Sequence, residues 1–255
     1  MCAPGVVLAA HQEGGGLPPP GAPPPPARGF SRRVDLTHPL TPDFPTWPGE
    51  EAHALEATVL ARFEEDGYAS RALAHAEHLG THLDAPAHFG GAATAEAIPA
   101  GWLVLPLAVV RLRDPDPDTA LGVEPLLAWE RRHGRLPAGA LVALDSGWAR
   151  RVGDPDAYRN QDPSGTMHFP GFAPEAAYFL AAERGALALG TDTLSLDPGA
   201  SKGFPVHRLL LPSGRFGLEN LAHLDRVPEA GAYAFVGAPP VAGASGVPAR
   251  VIALF

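Results

Sequence analysis

The sequence is poor in cysteine. Its 255 residues include one cysteine, Cys2, so disulfides within the chain and zinc sites built from several thiolates are excluded. A reducing cytosol suits such a chain, although an exported protein poor in cysteine would look the same. We predict a cytoplasmic protein.

Long apolar runs are absent as well. A membrane-spanning helix needs about 18 consecutive apolar residues, and no run in the sequence approaches that length. The apolar stretch CAPGVVLAA has no basic segment before it and contains a proline and a glycine, which makes it a poor signal peptide. The sequence therefore predicts no membrane partner.

Basic residues are outnumbered by acidic ones. Lys and Arg total 19 against 28 Asp and Glu, and the formal net charge is −9. Because a nucleic-acid-binding surface needs Lys and Arg to neutralise phosphates, nucleic acid is excluded as the main partner. Anionic small molecules are disfavoured less strongly, since a bound metal ion can invert the local field.

Proline and glycine are abundant instead, with 30 and 29 copies, and part of the excess lies in GGGLPPPGAPPPPARG. Such a segment forms neither a helix nor a central strand, and it has few bulky apolar groups to bury. We predict that residues 1–29 form a disordered or polyproline tail. The alternative is an arm that packs on a neighbouring subunit.

From residue 30 onward, apolar alternation and short apolar runs indicate strands. In the segment LEATVLARFEEDGYASRALAHAEH we predict a hairpin, with Val59, Ala61 and Phe63 alternating on the first arm and EEDG as the turn. The other predicted strands lie in RRVDLTHPL, WLVLPLAVVRLR, ALVALDSGW, ALALGTDT, AYAFVGAP and ARVIALF.

Two segments have helical patterns. VEPLLAWERRHG places Leu126, Leu127 and Trp129 on one side and ends at a glycine, and APEAAYFLAAERG has Pro174 in its first turn and Gly185 at its end. Strands and helices mix without strict βαβ repetition, and no internal repeat is present. We predict one α/β domain over residues 30–255, with mixed β-sheets and flanking helices.

The segment HLGTHLDAPAH, from His78 to His88, concentrates metal-ligand chemistry. Imidazole and carboxylate groups are the usual ligands of Zn²⁺ and Mn²⁺ in hydrolytic sites. Its glycine and proline argue against a helix, and in a strand that leads into a loop, His82 and Asp84 point to the same side. We predict that His78, His82 and Asp84 bind metal, with His88 as a general base. The alternative is a histidine-rich surface loop without a metal.

HLGTHLDAPAH resembles the HxGTHxDxPxH signature of the metal-dependent cyclase-type hydrolases at every fixed position. This family includes bacterial kynurenine formamidase, isatin hydrolase and some polyketide cyclases. The resemblance implies a cyclase-like, swivelling β/β/α fold and an assembly of at least a homodimer. It extends through DLTHPLTPDFPTWPG, HFPGFAPEAAYFLAAERG, GTDTLSLDPG and FPVHRLLLPSGRFGLENL.

The resemblance also implies roles for single residues. Asp84 would be able to bridge two metal ions, and His88 would donate and accept protons. His207 and Glu219, twelve residues apart, would complete a site for one or two ions of Zn or Mn. The alternatives are a capping or core position for His207 and a solvated helical position for Glu219.

Two further residues are candidates for substrate binding. Trp47 in TWPG matches a substrate-contacting tryptophan of the family, and its aromatic face would suit an aromatic substrate; the alternative is a core position. His168 in GTMHFPG lies between glycine and proline, which allows either substrate contact or loop packing.

The implied reaction is hydrolysis of the C–N amide bond of a small aromatic molecule. Neither LDSGW nor PSGR forms the Gly-x-Ser-x-Gly motif of serine hydrolases, which disfavours covalent catalysis. The candidate substrates are N-formylkynurenine and a cyclic amide such as isatin, and the sequence resembles the isatin hydrolase branch more. A polyketide-type cyclase or dehydratase and a non-catalytic metal-binding protein are the alternatives.

Overall fold

The structure is a computed structural model that describes residues 29–49 and 54–255. Apart from Gly29, the predicted tail at residues 1–29 lies outside the described residues, and its disorder stays a prediction. The described strands are β1 (Arg33–Asp35), β2 (Glu56–Ala61), β3 (Ser70–Ala74), β4 (His82–Asp84), β5 (Val104–Arg111), β6 (Ala120–Leu121), β7 (Leu141–Asp145), β8 (Gly171–Phe172), β9 (Ala188–Thr191), β10 (Phe216–Glu219), β11 (Ala232–Gly237), β12 (Gly246–Pro248) and β13 (Arg250–Leu254).

Helices are short and fewer than strands in the same described part of the chain. The α-helices are α1 (Phe63–Asp66), α2 (Val123–His133), α3 (Pro155–Arg159), α4 (Pro174–Tyr178) and α5 (Pro205–Leu210). Single 3₁₀ turns occupy Pro86–Phe89, Ala95–Ala97, Ala100–Leu103, Trp148–Arg151, Leu211–Ser213 and Leu224–Arg226.

A curled mixed sheet forms the centre of the fold. Within the described residues it has nine strands, in the order β1-β13-β11-β5-β7-β9-β10-β4-β12. Strands β5, β7, β9 and β10 run parallel, and the other neighbours pair antiparallel. Ala249 alone separates β12 from β13, although these strands lie toward opposite ends of the order. The chain therefore joins the two ends of the sheet, which curls toward a barrel.

Both faces of the sheet are apolar. Alternate residues of β5 enter two separate cores, with Leu105, Leu107 and Val109 in the interior of the curled sheet and Ala108 and Val110 in an outer core. Helices α2, α4 and α5 cover the outer core. Because both faces are covered, the parallel strands read as nearly continuous apolar runs in the sequence.

Both predicted helices are present. Helix α2 buries Leu126 and Trp129 as predicted. The second helix begins at Pro174, changes to a π turn at Phe179–Glu183 and stops before Gly185, which has a positive φ. The single α/β domain with mixed sheets and flanking helices is confirmed. No helix in the described part of the chain is long and apolar enough to cross a membrane.

The predicted hairpin is present as the separate pair β2 and β3, but the prediction for Phe63 is wrong. Phe63 does not continue the first arm; it begins α1 and is 68% exposed. Acidic side chains in the first turn stabilise a helix N-terminus, and Asp66 accepts a hydrogen bond from the Arg62 N–H at 2.8 Å. Gly67, in the left-handed conformation, ends the turn.

The structure predicts that Gly171→Ala destabilises the protein. A Cβ at Gly171 would lie 2.5 Å from the carbonyl carbon of Asp197 and 2.7 Å from the Leu196 oxygen, and backbone atoms cannot rotate away. Overpacking of this kind costs about 1–3 kcal/mol of unfolding free energy. Urea denaturation measures the change.

Gly153→Ala is the control, because a Cβ at Gly153 meets no atom within 4 Å. Its unfolding free energy should stay within about 0.5 kcal/mol of the parent value. Equal stability of the two variants would contradict the close packing of β8 against the segment that contains Asp197.

Candidate active site

Two neighbouring strands bring three predicted metal ligands together. His82 and Asp84 are two residues apart on β4, so their side chains point to the same side, as predicted. Strand β10 pairs with β4 and places Glu219 directly opposite His82. Leu83 and Leu218, which alternate with these ligands, enter the interior core. The ligands therefore lie on the outer face of the sheet.

Helix α5 and the turn before β4 supply the other predicted ligands. His207 Nε2 lies 3.0 Å from Glu219 Oε1 and 3.6 Å from Asp84 Oδ2. His78 Nδ1 lies 2.7 Å from Asp84 Oδ1. Asp84, 1% exposed, is thus enclosed by imidazoles and a second carboxylate. His207 and Glu219 are also buried, and Glu219 is on a strand rather than on a solvated helix.

The donor set fits a divalent metal. One group of ligand atoms comes from His78, His82 and Asp84, and a second comes from Asp84, His207 and Glu219, with all atoms of a group within 4.8 Å of one another. Among the described residues, the buried atoms His82 Nε2 and Asp84 Oδ2 make no hydrogen bond. A cation between them would satisfy both atoms. Imidazole and carboxylate donors are the ligands that zinc and manganese accept.

An outer partner orients each of the three histidines. His82 Nδ1 lies 2.8 Å from the Gly80 carbonyl oxygen, to which it can only donate, so its Nε2 is free to bind a metal. His207 Nδ1 lies 2.6 Å from Asp197 Oδ2, which leaves Nε2 toward Glu219. Such carbonyl and carboxylate partners fix the tautomer of metal-binding histidines.

His78 is oriented through Ser245. The Ser245 hydroxyl donates to Glu77 Oε2 at 2.7 Å and lies 3.1 Å from His78 Nε2, so it accepts the proton of that nitrogen. His78 Nδ1 then faces Asp84. Gly246 allows this arrangement, because a Cβ at its position would clash with the His78 ring.

The buried carboxylates hold protons on the neighbouring histidines. Burial alone would lower the pKa of His82, but the charges of Asp84 and Glu219 raise it to about 10. Burial would likewise lower the pKa of His207, and the carboxylates of Asp197, Asp84 and Glu219 raise it well above its usual value. In the absence of a metal, both imidazoles are therefore in the cationic, doubly protonated form at neutral pH.

His88 differs from the other histidines of the site. It lies on the 3₁₀ turn Pro86–Phe89, and its ring stacks on His78 with a centroid distance of 4.0 Å. The ring is open to the adjacent cavity, and its nitrogens make no hydrogen bond to another described residue. Desolvation by the surrounding protein lowers the pKa of His88 to about 4, so its imidazole is neutral and can accept a proton.

A cavity of about 190 Å³ lies beside the ligands. Trp47 is in its wall, as the sequence predicts for a substrate-contacting residue, and is only partly buried. The lining combines polar and aromatic side chains. The described lining residues are Pro45, Thr46, Trp47, His78, His82, His88, Phe89, Leu194, Ser195, Phe204, His207, Glu219 and Asn220.

His168 is not brought to the cavity. Its Nδ1 lies 2.7 Å from Asp118 Oδ1 and its Nε2 lies 3.6 Å from Asp162 Oδ2, in loops apart from the cavity lining. Both carboxylates raise the pKa of His168, with the hydrogen bond to Asp118 as the largest cause. Of the two predicted roles, this geometry favours loop packing.

Several residues of the site were missed by the sequence analysis. Asp197 and Ser245 orient ligands, and Phe89, Phe204 and Asn220 line the cavity. Ser245 is 167 residues from His78, so only the fold brings these two residues together. Phe89, Phe204 and Asn220 each lie within three residues of a predicted site residue, but nothing in the sequence marks them as lining residues.

Comparison with known proteins agrees with this geometry. The Cyclase family model matches residues 34–198. Isatin hydrolase of Roseibium aggregatum is 31% identical over 84% of this chain and 85% of its own length, and kynurenine formamidase of Paracidovorax citrulli is 31% identical over 80% and 88%. The structure of isatin hydrolase A from Ralstonia solanacearum superposes with a TM-score of 0.82, at 34% identity over 88% of this chain and 91% of that one.

The chain therefore belongs to the cyclase family of metal-dependent hydrolases, and it is an amidohydrolase.

The structure predicts that Gly246→Ala weakens metal binding. A Cβ at this position would lie 2.7 Å from His78 Nδ1, so the ring must move away from Asp84. Displacing a ligand or its support lowers metal affinity about 10- to 100-fold. Competition with a fluorescent zinc chelator measures the affinity. Gly101→Ala, where a Cβ meets no atom within 4 Å, is the control, and unchanged affinity in Gly246→Ala would contradict the assignment of His78.

Metal uptake should release protons. His82 and His207 are protonated in the metal-free protein and must be neutral to bind metal. Affinity should therefore fall as pH falls below about 10, by up to about 100-fold per pH unit for two displaced protons. Calorimetric titration in buffers of different ionisation enthalpy counts the released protons. Binding with no proton release would show that these imidazoles are not ligands.

Proposed function

We propose that the protein hydrolyses the C–N bond of a small, flat, cyclic aromatic amide of the isatin type. The observation that carries this proposal is the position of His88. Its ring is open and neutral between a buried metal-binding group and an aromatic cavity. A metal-binding protein without catalysis would not need this histidine.

Metal binding and proton transfer are assigned to different residues of the site. His78, His82, Asp84, His207 and Glu219 would hold the metal, and Asp84 can contact two ions because both groups contain it. A bound divalent ion supplies a polarised carbonyl and a lowered pKa for water. His88 accepts a proton from the attacking water and delivers it to the leaving nitrogen as the C–N bond breaks. Because the bond lies in a ring, the product is one ring-opened molecule that carries both a carboxylic acid and an amine.

The lining of the cavity supports the choice of substrate. Trp47, Phe89 and Phe204 offer aromatic surface to a flat ring. N-formylkynurenine carries a carboxylate on a side chain, and the groups that pair with a carboxylate best are Arg and Lys. Neither occurs among the described lining residues. A neutral cyclic amide meets these surroundings better.

Other properties follow from the same proposal. Zinc is favoured over manganese on affinity, because the order of stabilities places zinc above manganese for a given set of nitrogen and oxygen ligands. We also propose, on the likeness to the family, a cytoplasmic homodimer or larger homo-oligomer.

Replacement of His88 tests the catalytic role. His88→Ala should lower turnover of isatin by about 10²- to 10⁴-fold, the usual contribution of a general acid–base group. Metal content should not change, because His88 belongs to neither group of ligands. Steady-state kinetics and elemental analysis on the same preparation separate the two effects.

His75→Ala is the matched control. His75 is an exposed histidine three residues before His78, and its ring nitrogen contacts the oxygen of the next residue, Ala76. This variant should keep both turnover and metal. Full turnover in His88→Ala would refute the role of His88, whereas loss of metal in that variant would make it a ligand instead.

A further inference from the structure

Phe204 has a backbone conformation that its side chain disfavours. Its φ and ψ are 53° and 57°, in the left-handed region, where the Cβ of a bulky residue is crowded. Pro205 follows as the first residue of α5 and disfavours the right-handed helical region for Phe204. Glycine would adopt this conformation freely. The aromatic ring therefore needs an explanation beyond the turn.

The ring of Phe204 lies between other rings of the cavity lining. Its centroid is 5.5 Å from that of Trp47, 5.6 Å from that of Phe89 and 5.7 Å from that of His207. Phe204 contacts both Trp47 and Phe89 and so connects these two rings. The side chain is only partly buried and lines the cavity. It therefore has a face available to a ligand.

We propose that Phe204 determines specificity, by forming the central surface against which a flat aromatic amide packs. Gly203 and Phe204 are both in the left-handed conformation, and with this backbone the Phe204 side chain lines the cavity. A flat ring can lie at stacking or edge distance from Phe204. A saturated ring of similar size is thicker and has no π face, so it loses the aromatic part of this contact. The inference rests on the proposed function, because it concerns the substrate of the same site.

The alternative is a purely structural role, in which Phe204 only begins α5 and positions His207. Its carbonyl oxygen accepts a hydrogen bond from the Arg208 N–H at 3.0 Å, as the first turn of the helix requires. That contact uses the backbone and is kept by any residue. The two roles differ in one quantity, the preference of the protein for flat over saturated rings.

The test measures dissociation constants of benzamide and cyclohexanecarboxamide by calorimetry on metal-loaded protein. The parent protein should bind benzamide about 2- to 13-fold more tightly, in line with the worth of an aromatic contact. Phe204→Leu fills much of the same space without an aromatic face, and Phe204→Gly removes the side chain and relieves the left-handed conformation. In both variants the ratio of the two dissociation constants should fall toward one. In Phe204→Tyr this ratio should stay at the parent value.

Thermal denaturation separates specificity from folding. Phe204→Gly should melt no lower than Phe204→Ala, which keeps the unfavourable backbone conformation but has no ring. Asp114→Gly is the control, because Asp114 also has a positive φ, is exposed and lies outside the cavity lining. It should leave the preference for benzamide unchanged.

The outcomes also separate this inference from the proposed function. A parent protein without a preference for benzamide, or a full preference in Phe204→Leu and Phe204→Gly, overturns the role of Phe204 even if isatin is hydrolysed. Loss of the preference in these variants supports the role, and it does so even if the parent protein hydrolyses no cyclic amide. In that case the proposed reaction is wrong, but the role of Phe204 in the preference for benzamide is supported.

Discussion

The buried carboxylate of Asp84 is the constraint on which the site depends. It is 1% exposed and lies against the second carboxylate of Glu219, with imidazoles around both. Buried negative charge requires a positive partner. In the metal-free protein, His82 and His207 supply it as two protons. One divalent cation carries the same charge, so a metal ion can replace these protons without a change in the net charge of the site.

The fold meets this constraint by using the two faces of one sheet. On β4 and β10, Leu83 and Leu218 enter the interior core, while His82, Asp84 and Glu219 point outward. The same alternation that stabilises the sheet therefore presents the ligands. Glycines provide the room, since a Cβ at Gly217 would lie 2.9 Å from Asp84 Oδ2. Hydrogen-bond partners then orient each imidazole from outside the cluster.

The sequence predicts the parts of this arrangement that are local. The spacing of His82 and Asp84 in a strand places them on one side, and the structure has them so. Their meeting with Glu219 depends on the register of β10 against β4, 135 residues away, and no local pattern contains it. Resemblance to the family supplied His207 and Glu219. The same limit explains Ser245, which lies 167 residues from the histidine that it orients.

Local patterns gave one wrong interpretation, at Phe63, and left a second one open, at His168. Alternation of apolar residues predicted a strand at Phe63, but three acidic residues and a glycine favour a helical turn there. His168 has the flanking residues of a functional loop, yet its carboxylate partners hold it away from the cavity. At Phe63 the competing interaction is electrostatic, and a hydrophobic pattern does not report it.

The most direct test of the account is the metal content of the protein and of Asp84→Asn, by elemental analysis after reconstitution with Zn²⁺ or Mn²⁺. Asp84 belongs to both groups of ligands. The account predicts one or two equivalents of metal in the parent protein and none in the folded variant. Absence of metal from the parent protein, or an undiminished content in Asp84→Asn, would contradict it.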